Sequence, residues 1–138
     1  RIWNTENGTC IRTIYEYSNP PLGHIMYSKD SKYILASYLN SQIRLWNSHN
    51  GKCLKVYSGH HNVRLCCFSA LADEDTHPLV LSGSEDGRIL IWDMQSMTQL
   101  QVLEGHTDIA ISISHNPTSG QFASGSVDGT LKIWKRIK

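Results

Sequence analysis

The residues of this chain whose types could do chemistry form two matching sets: His60, Ser82, Asp86 and Trp92, and His106, Ser124, Asp128 and Trp134. A serine beside an imidazole that a carboxylate orients is the constellation of nucleophilic acyl transfer. Its recurrence argues against that use. An enzyme needs one activated serine at a cleft with an oxyanion site, whereas the same quartet twice in equivalent places points to a repeated scaffold. The quartets therefore read as buried hydrogen-bond chains. In each, the turn aspartate accepts from the histidine, and the histidine meets the strand serine and the indole N–H. Removing Asp86 is then expected to leave a buried histidine unpaired, at about 1–3 kcal/mol. No catalytic residue is assigned, and the chain reads as a non-enzyme.

Cys53, His60, His61 and Cys66 offer two thiolates and two imidazoles, a ligand set that zinc accepts. Their spacing is poor, His60 belongs to the quartet, and Cys53 is expected on an outer strand away from Cys66. Neither a metal nor a cofactor is expected. Cys66 and Cys67 read as small apolar packing.

These residues must be positioned by a repeat. Trp3, Trp46, Trp92 and Trp134 stand 43, 46 and 42 residues apart, and each closes an apolar stretch such as Ile89-Leu90-Ile91-Trp92. A period in the forties, with Gly-His early and Trp-Asp late, is the mark of a β-propeller blade of four antiparallel strands. The expected fold is all-β, about three blades of a larger ring. Outer strands are expected over Cys10–Tyr15, Lys52–Ser58 and Thr98–Glu104, and inner strands over Leu22–Ser28, Val63–Ser69 and Ile109–His115. Second strands follow at Tyr33–Leu39, Leu79–Glu85 and Gln121–Val127, and third strands at Gln42–Trp46, Arg88–Trp92 and Thr130–Trp134. Asp86-Gly87 and Asp128-Gly129 mark tight hairpin turns. Leu71 to Pro78 reads as a long exposed polar loop. Phe68, closing the inner-strand run Leu65-Cys66-Cys67-Phe68, has two open readings: packing, or an aromatic at the channel mouth that stacks on an arginine guanidinium.

The whole of 1–138 reads as one propeller piece. Residues 1–15 end one blade, 16–58 and 59–104 are blade units, and 105–138 is a last unit without its outer strand, which a longer chain is expected to supply. Thirteen basic and twelve acidic residues are spread evenly for a net charge of +1, so direct nucleic-acid binding is not expected. No apolar run approaches the roughly 20 residues of a membrane span. Cys10 and Cys53 occupy equivalent places in successive units, so they are repeat features and not a bridged pair, which suits a reduced intracellular compartment.

The first complete unit breaks the pattern. Asn19-Pro20-Pro21 stands where Gly-His would be, Ala36 replaces the serine, and Asn40-Ser41 replaces Asp-Gly. Gly23-His24 lies too close to Trp46 to serve and is placed on the inner strand. This blade is expected to rely on apolar packing.

Repeats ending Ile-Arg-Leu-Trp-Asn, Leu-Ser-Gly-Ser-Glu-Asp-Gly-Arg-Ile-Leu-Ile-Trp-Asp and Ala-Ser-Gly-Ser-Val-Asp-Gly-Thr-Leu-Lys-Ile-Trp resemble WD repeats across the whole chain. Asn19-Pro20-Pro21, Lys32-Tyr33-Ile34-Leu35-Ala36, Gly51-Lys52-Cys53-Leu54-Lys55, Ser82-Gly83-Ser84-Glu85-Asp86 and Gly105-His106-Thr107-Asp108 carry a narrower likeness. They are similar to the C-terminal half of the seven-bladed WD-repeat subunits of COMPASS and MLL histone lysine-4 methyltransferase complexes, in a fungal-type form. That resemblance implies a non-catalytic nuclear scaffold and chromatin regulator, for which a nucleosome association, where there is one, is expected to be indirect. It implies an arginine-containing motif of the catalytic SET-domain subunit at the channel mouth, at Cys66, Phe68 and Leu65. It also implies a segment of a second propeller subunit in a side cleft at Asp30, Tyr33, Leu45, Leu71 and Gln95. The alternative is a WD-repeat adaptor of another assembly, such as a ubiquitin ligase, a coat or a signalling complex.

Overall fold

The computed structural model describes residues 1–72 and 76–135. Its thirteen strands are β1 (Ile2–Trp3), β2 (Cys10–Arg12), β3 (Leu22–Tyr27), β4 (Tyr33–Tyr38), β5 (Gln42–Asn47), β6 (Cys53–Tyr57), β7 (Ser69–Ala72), β8 (Leu79–Gly83), β9 (Ile89–Asp93), β10 (Gln99–Leu103), β11 (Ala110–His115), β12 (Phe122–Ser126) and β13 (Leu131–Trp134). The described residues contain no helix. The strands pair antiparallel in chain order as β1-β2, β3-β4-β5-β6, β7-β8-β9-β10 and β11-β12-β13. This is the all-β, blade-by-blade architecture that the tryptophan period demands.

Burial explains why the strand signal varies along the chain. In the middle blade, Leu90 and Trp92 pack toward the first blade with Leu35, Ile43, Leu45, Tyr57 and Val80. Ile89 and Ile91 pack the other way, with Leu81, Ala70, Ala110 and Ile113. A strand buried on both faces reads as a continuous apolar run instead of an alternation. On β13, by contrast, Leu131 and Ile133 are exposed.

The repeat is exact enough to place cysteines. Cys10 pairs opposite Trp3 and Cys53 opposite Trp46, and each thiol lies near the carbonyl two residues on, Arg12 or Lys55. All four cysteines are free. Both Asp-Gly hairpins close as four-residue turns, Gly87 N to Ser84 O and Gly129 N to Ser126 O, with the glycines at φ 84° and 81°. Only the glycine of each pair takes the left-handed conformation.

Two expectations are corrected. The inner strand of the middle blade is not Val63–Ser69 but Ser69–Ala72, which pairs with Leu79–Ser82. Glu85 is the cause: its Oε1 accepts the backbone N–H of Val63, Arg64 and Leu65 at 3.1, 2.6 and 2.7 Å. Those donors are drawn to a carboxylate and not to a strand. Leu71 and Ala72 consequently lie in β7, so the loop begins after them. Residues 73–75 of that loop lie outside the described residues.

The first blade also departs from apolar packing alone. Arg44 meets Glu16 at 3.1 Å and Gln42 Oε1 at 2.9 Å, with its guanidinium 6.0 Å from the centre of the Tyr38 ring. An ion pair is thus present in the blade that lacks the His-Ser-Asp chain. Both its partners are largely buried, where screening by water is weakest.

Candidate functional site

The last blade builds the expected network. His106 Nδ1 is 2.9 Å from Asp128 Oδ2, His106 Nε2 is 2.7 Å from Ser124 Oγ, and the Trp134 indole N–H donates to Ser124 Oγ at 2.8 Å. The proton order follows: Trp134 donates to Ser124, Ser124 to His106, and His106 to Asp128. Hydrogen bonds from the Thr130 hydroxyl, the Thr130 and Thr107 N–H groups and His106 hold the Asp128 carboxyl far below the usual carboxylate range, against a smaller upward push from burial. This is triad-like in distance, yet Ser124 is 1% exposed and its oxygen already accepts the indole proton. No substrate carbonyl could reach it, so the set is structural.

The middle blade carries the same four residues and does not build the same network. His60 is buried and neither ring nitrogen has a hydrogen-bond partner. Ser82 Oγ donates to Gly83 O, and Trp92 Nε1 to Ser58 O. Asp86 instead holds Arg88, with Oδ2 2.7 Å from both Nε and an NH2 nitrogen. His60 meets Trp92 only edge to face, at 5.6 Å between ring centres. Burial pulls its pKa down to about 4, against a smaller upward pull from Asp86. The expectation that losing Asp86 would strand His60 is therefore corrected, since His60 already lacks that bond.

Of the residues expected at the channel mouth, Leu65, Cys66 and Phe68 are all exposed, Phe68 at 45%. Phe68 precedes β7 and is fixed by its N–H, which donates to Ile111 O of the next blade at 2.8 Å. One face of its ring is covered by His24, stacked at 4.5 Å and 16°. His24 Nδ1 accepts the Ser69 N–H at 3.3 Å, and Ser69 Oγ is 2.8 Å from Ser37 Oγ. An amide can only donate, so Nδ1 is unprotonated, and burial lowers the pKa of His24 in keeping with that. Gly23 lets the strands approach, because a Cβ there would stand 3.2 Å from Cys66 Cα. His24 was not among the residues expected at the mouth. The only sequence signal for it is an imidazole on an inner strand of otherwise apolar and small residues. Cys67 is fully buried, and burial pushes its thiol up to about 12, which leaves it unreactive.

The cleft residues divide. Tyr33 and Leu71 pack half-buried against the core that contains Leu45, Val80 and Trp92, with Met26 and Met94 beside them. Leu45 itself is 2% exposed. It supports this patch from beneath and does not offer a contact, a correction to its expected role. Asp30 is exposed and accepts from Ser28 Oγ at 2.7 Å and Lys32 N at 3.1 Å, so its carboxylate is partly used in shaping its own turn. Gln95 is exposed. A separate groove of about 690 Å³ opens between the second and third blades, walled by Leu81, Ile91, Leu103, Phe122 and Trp134, and contains none of the mouth or cleft residues. Among the described residues, no group of three histidines, cysteines or acidic residues could hold a metal.

Comparison with known proteins gives the repeats a family. The WD domain, G-beta repeat profile matches residues 8–47, 51–93 and 97–135, each match spanning the outer strand of one blade and the first three strands of the next. A WD repeat domain-containing protein 83 homolog of Dictyostelium discoideum is 31% identical over 97% of this chain and 40% of its own length. GID complex subunit 7 of Schizosaccharomyces pombe is 34% identical over 96% of this chain and 26% of its own. The WD repeat-containing protein WDS homolog of Arabidopsis thaliana is 30% identical over 83% of this chain and 22% of its own. The chain thus spans less than half the length of these relatives. None of these names is that of a COMPASS subunit, so the narrower resemblance gains no support from them and only the broader one stands. Three matched repeats that cover most of the chain, each carrying its tryptophan on the third strand of a sheet, make this chain a member of the WD-repeat family.

Proposed function

We propose that this chain is part of a non-catalytic scaffold that gathers protein partners through its channel mouth and its Tyr33 patch. The observation that carries this is the Phe68 ring: exposed on one side, it is held from the other by His24, whose orientation Ser69 and Ser37 fix in turn. A ring that is rigid and half open suits a planar cation such as an arginine guanidinium, worth about 0.5–2 kcal/mol for the stacking alone. The finer reading is a nuclear scaffold of a COMPASS-type histone lysine-4 methyltransferase complex. There the mouth takes an arginine motif of the SET-domain subunit, and Asp30, Tyr33, Leu71 and Gln95 take a segment of a second propeller. Its support is the motif resemblance and this geometry. A second reading, an adaptor of another assembly, is favoured by the likeness to a protein named as a GID complex subunit.

Titrating an arginine-containing peptide and its lysine counterpart onto the protein by fluorescence anisotropy tests the mouth. Binding of the arginine peptide that falls at least fivefold in Phe68→Ala supports the reading, and binding indifferent to Phe68 or to the arginine would sink it.

A further inference from the structure

The middle and last blades form a matched pair of structures with one informative difference. In the last blade, the residue two after the turn aspartate is Thr130, whose hydroxyl takes Asp128 Oδ1 at 2.6 Å and leaves Oδ2 for His106. In the middle blade that residue is Arg88, whose guanidinium takes Asp86 Oδ2 through two nitrogens at 2.7 Å. The backbone is the same hairpin in both, closed by the same glycine bond. The last blade shows that this hairpin can aim its carboxylate at the histidine. The middle blade shows it aimed at the arginine, with both nitrogens of His60 left without a bond.

Each position of Asp86 leaves one group wanting. Outward, Asp86 satisfies Arg88 and abandons a buried imidazole, an unfavourable state for a polar group cut off from water. Inward, it would complete His60 and release Arg88. Arg88 bears that loss far better, since its side chain is 37% exposed and water can solvate it. Ordinarily a partner that seizes an arginine from its ion pair strands the displaced carboxylate. Here the displaced carboxylate has a buried donor waiting for it.

We propose that Arg88 is a docking point for an acidic side chain of a partner protein, and that its capture sends Asp86 inward to His60 and closes the hydrogen-bond network of the second blade. The carboxylate of the partner takes over the guanidinium fork, which matches a carboxylate bidentately. Glu104 also attracts Arg88 electrostatically, so an incoming carboxylate must compete with it. Coupling is reciprocal: whatever closes the His60 network strengthens the hold of Arg88 on the partner by the same factor. This surface is separate from the Phe68 mouth and does not depend on it.

The test uses the intact protein with ¹⁵N-labelled histidine and arginine, His60 being assigned by its disappearance in His60→Asn. Arg88→Thr installs the residue of the last blade and is expected to raise the proton affinity of His60 at least tenfold and bring its ring ¹⁵N shifts to those of His106. Adding Asp86→Asn to that variant is expected to reverse the change. In the wild-type protein, acetyl-tetraglutamate amide at millimolar concentration is expected to shift the Arg88 Nε and His60 ring signals along one titration curve. The proposal is overturned if Arg88→Thr leaves His60 unchanged, if the peptide moves Arg88 without His60, or if the peptide leaves Arg88 unmoved.

Discussion

Replacing Ser124 by alanine and, separately, Ser82 by alanine removes the same hydroxyl from the same place in two blades. The structure assigns the two losses different sizes. Ser124 Oγ is a junction, accepting the Trp134 indole N–H and serving His106 Nε2. Without it, two polar groups in a largely dry interior lose their partners. At about 1–3 kcal/mol for each buried group left unsatisfied, and less for the partly exposed indole, Ser124→Ala should cost roughly 2–4 kcal/mol. Ser82 Oγ donates only to the neighbouring Gly83 carbonyl, and neither His60 nor Trp92 depends on it. Its removal forfeits one neutral hydrogen bond, about 0.5–1.5 kcal/mol. Urea unfolding of the intact protein, followed by tryptophan fluorescence and fitted with a common slope, reads both values. Equal losses, or a larger loss for Ser82→Ala, would refute the reasoning that one network is closed and the other open.

Other outcomes follow from the same geometry. A Cβ on Gly83 would meet the Ala110 carbonyl at 2.0 Å, whereas at Gly125 the nearest atom is 3.9 Å away. Gly83→Ala should therefore force the second and third blades apart at about 1–3 kcal/mol or more, while thermal unfolding of Gly125→Ala stays close to wild type. Burial pushes the Glu85 carboxyl up, but the N–H groups of Leu65, Arg64 and Val63, with His61, together hold it below its ordinary 4.5. A carboxyl lowered by folding stabilises the protein above the unfolded value and loses that contribution as pH falls through the folded one. Glu85→Gln should accordingly unfold more readily at neutral pH and show a shallower loss of stability below about pH 4.5, read as urea midpoints across pH.

Much of the fold was legible because its signals are local. The tryptophan period and the Asp-Gly turns each reside within a few residues, and third strands could be bounded to within a residue or two. The inner strand of the middle blade was not legible, because Leu65 to Phe68 has strand-like composition while Glu85, some twenty residues away, captures the donors that pairing would need. Both quartets were legible as residues, but which of them closes as a network was not: Arg88 and Thr130 lie just outside the motif and decide where the aspartate turns. Leu45 was expected at a contact only through the family resemblance, and a resemblance of motifs does not say that its side chain is 2% exposed. His24 meets Phe68 through packing between blades, which no spacing within one repeat encodes.

Pull-downs from nuclear extract with the intact protein, Phe68→Ala and Tyr33→Ala, read by mass spectrometry, test most directly the proposal that two separate surfaces of this protein hold different partners. If the proposed function holds, wild type recovers methyltransferase-complex subunits and each variant loses a different one while keeping the rest. Recovery of one unrelated partner set, unchanged by either substitution, would contradict it.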